Sequence, residues 1–214
     1  MIRRLCAEGL GTCILLLAVV GSGIMADTLS GGNLGVALLA NAITTGCVLY
    51  VLITIFAPLS AAFNPVVTLI SILQRHISPT EGVLTITTQI ASGIAGVWLA
   101  HAQFGLPVLQ VSDHARNGSA QLLAEAIATF GLILTILGGV RHAPDRVATL
   151  VALYITAAYW YTASTSFANP AAAIARSLTD TFAGIAPGDV AGFIVAQLMG
   201  GLLGWRVASA LFKP

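Results

Sequence analysis

The chain has 214 residues, of which 57% are hydrophobic and only 8% charged, and its mean hydropathy is +0.93. That leaves too little polar surface to cover a soluble globule of this size, so the composition is that of an integral membrane protein. A net charge of +1 without long basic runs leaves no electrostatic footprint for nucleic acid, and no nucleic-acid partner is expected.

A membrane-crossing helix needs about 20 mostly apolar residues. The first window, residues 5–25, follows Arg3 and Arg4 and contains an apolar run, Leu10 to Val20, like the core of a leader peptide. Asp27 and Gly31-Gly32 then form a short loop before another span, and Glu8 has a counterpart in the second half, so this window reads as the first membrane helix and not as a cleaved leader. Further spans are predicted at 34–56, 83–104, 120–140, 147–167 and 189–211. Two shorter apolar segments, Asn64 to Gln74 and Asn169 to Leu178, cover about half the length a bilayer needs and read as re-entrant half-helices. Arg3, Arg4, Arg75, Arg141, Arg146, Arg206 and Lys213 fall on the side of the N-terminus and only Arg116 and Arg176 opposite, which predicts cytoplasmic termini in the inner (plasma) membrane.

Three landmarks recur in the same order in both halves. Glu8 with Thr12 matches Glu125 with Thr129, Asn64-Pro65 matches Asn169-Pro170, and Gln89 with Gly93 and Gly96 matches Gln197 with Gly201 and Gly204. Each half holds an odd number of spans, so the second copy must sit upside down relative to the first. The expected fold is an all-α membrane protein, six transmembrane helices plus two re-entrant half-helices in an inverted repeat, within a single channel domain 1–214 (repeat 1, 1–110; repeat 2, 111–214).

Asn is a strong N-cap and Pro suits the first helical position, so each Asn-Pro starts a helix. Two such N-termini meeting at mid-membrane bring partial positive charge and free N–H groups to one point, which repels cations. The Asn64 and Asn169 amides can then orient a passing water so that it does not relay protons. Glu8 and Glu125 are intramembrane carboxylates and hence candidate functional residues; the favoured role is structural, accepting hydrogen bonds from backbone N–H groups near a half-helix. Gln89 and Gln197 precede small-residue faces and are assigned to close helix packing. Cys6, Cys13 and Cys47 are too sparse for a zinc framework and read as small apolar residues. His76, His101, His114 and His142 show no i, i+4 pairing, so neither a metal nor another cofactor is indicated, and Ser22 lacks the partners of a nucleophile. No enzyme is expected.

The paired Asn-Pro motifs, the Glu-x-x-x-Thr starts and the Gln-x-x-x-Gly repeats together resemble the aquaporin (major intrinsic protein) family across essentially the whole chain. The resemblance implies the aquaporin fold, one pore per subunit and a homotetramer. The family's Asn-Pro-Ala stands as Asn169-Pro170-Ala171, whereas the first copy reads Asn64-Pro65-Val66. Water-selective members place an Arg three residues after the second Asn, a position occupied here by Ala172. Carrying over the other constriction positions gives Thr45, Ala157 and Ser166, a set without an aromatic ring. Such a constriction implies a wider pore that admits glycerol or undissociated metalloid hydroxides. The segment from Asn169 to Arg176 also resembles a bacterial aquaglyceroporin branch linked to arsenic handling. Arg176 lies four residues beyond Ala172, about 6 Å further along the half-helix; it is either a displaced cation at the outer mouth or a solvated residue at a helix end.

The resulting expectation is a passive channel in the lipid bilayer for water and small neutral solutes that excludes protons and cations. The alternative is a secondary transporter, a class that also uses inverted repeats and broken helices.

Overall fold

The computed structural model describes residues 1–212, so Lys213 lies outside the described residues. Eight α-helices follow one another: α1 (Ile2–Leu29), α2 (Leu34–Phe56), α3 (Pro65–Leu73), α4 (Pro79–Gln103), α5 (Ser119–His142), α6 (Val147–Tyr161), α7 (Pro170–Arg176) and α8 (Pro187–Leu211), with a 3₁₀ turn, Pro144–Arg146, before α6. The order long, long, short, long occurs twice. Local chemistry explains several of the starts. Asn33 Oδ1 accepts from Val36 N at 3.1 Å and Ser78 Oγ from Glu81 N at 3.2 Å, with Pro79 at the first helical position. Gly31 and Gly32, at φ +59° and +86°, make the left-handed turn between α1 and α2 that other residues resist.

Five helices (α1, α2, α4, α5 and α8) are long and apolar enough to cross a membrane. The span expected at 147–167 is a correction. Helix α6 ends at Tyr161 after 15 residues, about 22 Å of rise, and the following stretch runs non-helically to Asn169. Its last residues, Ser166, Phe167 and Ala168, line a cavity, where irregular backbone is tolerated at membrane depth.

Each half closes around a pair of long helices that pack through glycine. A Cβ at Gly96 in α4 would collide with the Cys13 carbonyl of α1, and one at Gly200 or Gly204 in α8 would collide with the Ala126 or Phe130 carbonyl of α5. Small residues therefore bring backbone against backbone, the way membrane helices gain packing without a hydrophobic driving force. Helices α2 and α6 join the two halves. The core contains Leu16, Val20, Ala42, Phe63, Val97, Leu132, Ile155 and Tyr159, while Leu39, Val51, Leu123, Leu153 and Leu203 are exposed on the outside, a surface suited to apolar surroundings. Cys6 and Cys47 are exposed and Cys13 is half-buried; all three are free thiols.

Candidate functional site

Both half-helices start at an asparagine whose side chain caps its own helix and reaches into the other half. Asn64 Oδ1 accepts from Val66 N at 2.9 Å, and Asn169 Oδ1 accepts from Ala171 N at 3.0 Å. In exchange, Asn64 Nδ2 donates to the Ala168 carbonyl at 2.7 Å and Asn169 Nδ2 to the Phe63 carbonyl at 2.8 Å. The two Asn-Pro sites thus meet head to head. Phe63 and Ala168, the residues just before each asparagine, hold φ of 48° and 47°, a region costly for side-chain-bearing residues. That conformation presents their carbonyls to the opposite asparagine. Pro65, Val66, Pro170 and Ala171 are buried in the half-helix starts. The larger Val66 fits because Gly201 faces it; a Cβ there would strike Val66 Cγ1.

The feeding loops are held from behind by the paired carboxylates. Glu8 accepts from Ala62 N at 2.7 Å, Phe63 N at 2.8 Å and Ser60 Oγ at 2.6 Å, while Glu125 accepts from Phe167 N and Ala168 N, both at 2.9 Å. Each also takes a glutamine amide, Gln89 Nε2 at 2.7 Å and Gln197 Nε2 at 2.6 Å. These loop N–H groups are thus taken by the carboxylates, while the Phe63 and Ala168 carbonyls accept from the asparagine amides across the centre. Gln89 and Gln197 sit on the packing faces read from the sequence, but the structure also gives their amides this polar role. The glutamines lie more than 70 residues from their carboxylates in sequence, so only the tertiary fold reveals the pairing. Gln89 Oε1 and Gln197 Oε1 have no partner, because a carboxylate neighbour accepts and cannot donate.

The loops border a cavity of about 120 Å³ that extends past both asparagines. Leu16, Val19, Leu49, Leu132, Val151 and Ile155 form its apolar side; Phe63, Asn64, Ser166, Phe167, Ala168 and Asn169 bring the loop backbone to it. Thr45, Ser166 and Ala172 line it too. Ala157 does not: it is exposed on the outer face of α6, and Tyr159 lines the cavity in its place. Two residues turn a helix by about 200°, enough to exchange outer for inner face. Tyr159 is buried, and its hydroxyl pairs with Thr45 Oγ1 at 3.1 Å. The cavity lining at this level therefore includes an aromatic ring, which the set carried over from the resemblance lacks.

Arg176 also lines the cavity and is only 3% exposed, so it is not a solvated helix end. Its Nε donates to the Ala183 carbonyl at 2.5 Å and its guanidinium lies 3.3 Å from the centre of the Phe167 ring. Arg116, from the connection between α4 and α5, lies 5.1 Å from the same ring and donates to the Gly184 carbonyl at 2.7 Å. The charge count had placed Arg116 on the same side as Arg176, but nothing in the sequence pattern pointed to Phe167 or to a ring shared by the two arginines. That connection is tied down further by His101, fully buried in the last turn of α4 between the Val108 carbonyl and Thr179 Oγ1, and by Asp180, which accepts from Asp113 N at 3.1 Å. The Asp113 amide holds the Asp180 carboxyl below its ordinary value. Asp113, His114 and Asp180 together form an exposed cluster whose contacts to each other and to loop amides account for it.

Against known proteins, the family described as "Major intrinsic protein" matches residues 1–160. The chain belongs to that family. It is 51% identical over 213 residues to "Aquaglyceroporin AqpS" of Rhizobium meliloti (strain 1021), covering 99% of this chain and 91% of that protein. Its fold is similar to the X-ray structure of the aquaglyceroporin from Plasmodium falciparum, with a TM-score of 0.78 at 19% identity over 100% of this chain and 97% of that one. Six membrane-crossing helices, with α6 completed by its non-helical continuation, and two half-helices in an inverted repeat make this the aquaporin fold of a multi-pass membrane protein, and the chain is a channel and not an enzyme.

Proposed function

We propose that this major intrinsic protein passes water and small uncharged solutes of the glycerol class, with undissociated metalloid hydroxides such as arsenous acid in the same range of size and polarity. The observation that carries the reading is the cavity bordered by both asparagines and lined by apolar helix residues together with residues of both half-helix loops. A neutral polyol can exchange its hydration for carbonyls and amides on one side while its carbon skeleton rests on the other. The 51% identical relative bears the name aquaglyceroporin, which supports the same class. Protons and cations are held back by amide donors at the centre, and no carboxylate is among the cavity-lining residues described. A coupled transporter would need a titratable carboxylate or ion site beside the solute.

On this reading Thr45, Tyr159, Ser166 and Ala172 set the constriction, and Glu8, Glu125, Gln89 and Gln197 are scaffold. Repeat 1 (1–110) and repeat 2 (111–214) build one channel domain, four copies assemble through the exposed apolar faces with one pore each, and both termini lie on the cytoplasmic side of the inner membrane. Stopped-flow light scattering of proteoliposomes tests the proposal with water, glycerol, urea and arsenous acid. Glycerol flux is expected to rise linearly with its gradient and to ignore ion gradients; saturable, ion-driven uptake would sink the channel reading. Ala172→Arg, which places a guanidinium at the constriction, is expected to slow glycerol about tenfold, equivalent to ~1.4 kcal/mol of added barrier, with water much less affected.

A further inference from the structure

The outer end of the cavity carries positive charge that the protein does not neutralise. Arg176 is 3% exposed, and among the described residues it is the one charged side chain lining the cavity. Its Nε is used on the Ala183 carbonyl, and among the described residues its Nη1 and Nη2 make no hydrogen bond and no carboxylate pairs with it. Arg116 brings a second guanidinium to the same Phe167 ring, its Nε committed to the Gly184 carbonyl. The nearby carboxylate, Glu125, is engaged by Phe167 N, Ala168 N and Gln197 Nε2. The face of Phe167 supports one side of the Arg176 guanidinium, and its remaining N–H groups are left for whatever occupies the cavity.

A second, independent observation lies beside it. Ser166 lines the same cavity, is 3% exposed, and its Oγ has no hydrogen-bond partner. Thr45 and Tyr159 by contrast pair their hydroxyls with each other. An unused guanidinium edge and an unused hydroxyl border one small cavity that lacks carboxylates.

We infer that this end of the pore is a binding subsite for a small monovalent oxyanion, which docks on the Arg176 guanidinium and Ser166 Oγ and thereby obstructs passage of neutral solutes. The planar fork of a guanidinium matches two oxygens of such an ion. The inference goes beyond the neutral-solute reading, since it gives the pore an anionic ligand.

Nitrate is the probe, being planar and charged throughout the neutral range. In proteoliposomes with gluconate replaced by nitrate at constant ionic strength, glycerol flux is expected to fall saturably, to half at a nitrate concentration equal to its Kd. Arg176→Gln is expected to weaken that inhibition about tenfold in apparent Kd and Ser166→Ala about threefold, with Arg176→Lys between wild type and Arg176→Gln. Nitrate-dependent thermal stabilisation of the purified protein reads the same subsite when glycerol flux is absent, which separates its failure from failure of the neutral-solute reading. If Arg176→Gln does not fold, Ser166→Ala and Arg176→Lys carry the test. Wild-type protein that nitrate neither slows nor stabilises, variants inhibited as strongly as wild type, or equal inhibition by chloride would overturn the inference.

Discussion

The two half-helices begin alike and end differently. Each starts on Asn-Pro, caps itself, and donates across the centre to the residue before the other asparagine. Seven residues on, α3 carries Ser71, whose hydroxyl returns to its own helix at the Val67 carbonyl, whereas α7 carries Arg176, buried and reaching the cavity. The duplicated parts meet at the centre of the cavity, and the divergent part brings Arg176 to its lining. On the proposed reading, repetition marks scaffold and departure from repetition marks selectivity.

The largest effects are expected where the scaffold is symmetric. Glu8→Leu strands two loop amides, a hydroxyl and the Gln89 amide, and is expected to cost about 4 kcal/mol or more, enough to abolish the folded protein. Glu125→Leu strands one donor fewer and should be slightly milder. Melting temperature and yield in detergent check both, and a stable Glu8→Leu channel would break the symmetry argument. Next come the glycine contacts. Gly96→Leu and Gly200→Leu force the paired helices apart and are expected to cost about 3 kcal/mol each, while Gly188→Ala, with open space around it, should stay within about 0.5 kcal/mol. A smaller effect separates the inner from the outer face of α6. Tyr159→Phe deletes the hydroxyl that pairs with Thr45 and should change the glycerol-to-water permeability ratio about fivefold, near 1 kcal/mol; Ala157→Phe should leave the ratio alone. Reversed results would restore Ala157 to the constriction.

The smallest effect concerns the loop that carries Arg116. Because the Asp113 amide holds the Asp180 carboxyl low, this tie is complete above the unfolded-chain value of about 3.9 and is lost as pH falls through the lower folded value. Faster hydrogen exchange at the Asp113 amide, in acid or in Asp180→Asn at neutral pH, is the expected sign.

Much of this was legible in the residues. The second span coincides with α2, Leu34–Phe56, because hydrocarbon length and a capping Asn33 are local signals. Both half-helices were visible as short apolar runs behind Asn-Pro. Ala157 lies outside the cavity and Tyr159 lines it because an offset of two residues exchanges the faces of α6, and packing against α2 and α5, remote in sequence, sets its rotation. His101 looked like a helix-end residue; residues near 108 and 179, remote in sequence, cover it.

Sequence by itself determined the membrane class, the number and order of the apolar segments, the sites where half-helices begin and the pairing of landmarks between halves. Those properties depend on runs of neighbouring residues and on capping chemistry within one turn. Tertiary structure alone decided that Tyr159 and not Ala157 meets the pore, that Arg176 turns inward, and that Arg116 reaches the same ring. A helix rotates about 100° per residue and irregular loops follow no fixed period, so facing and reach are settled only when the segments pack.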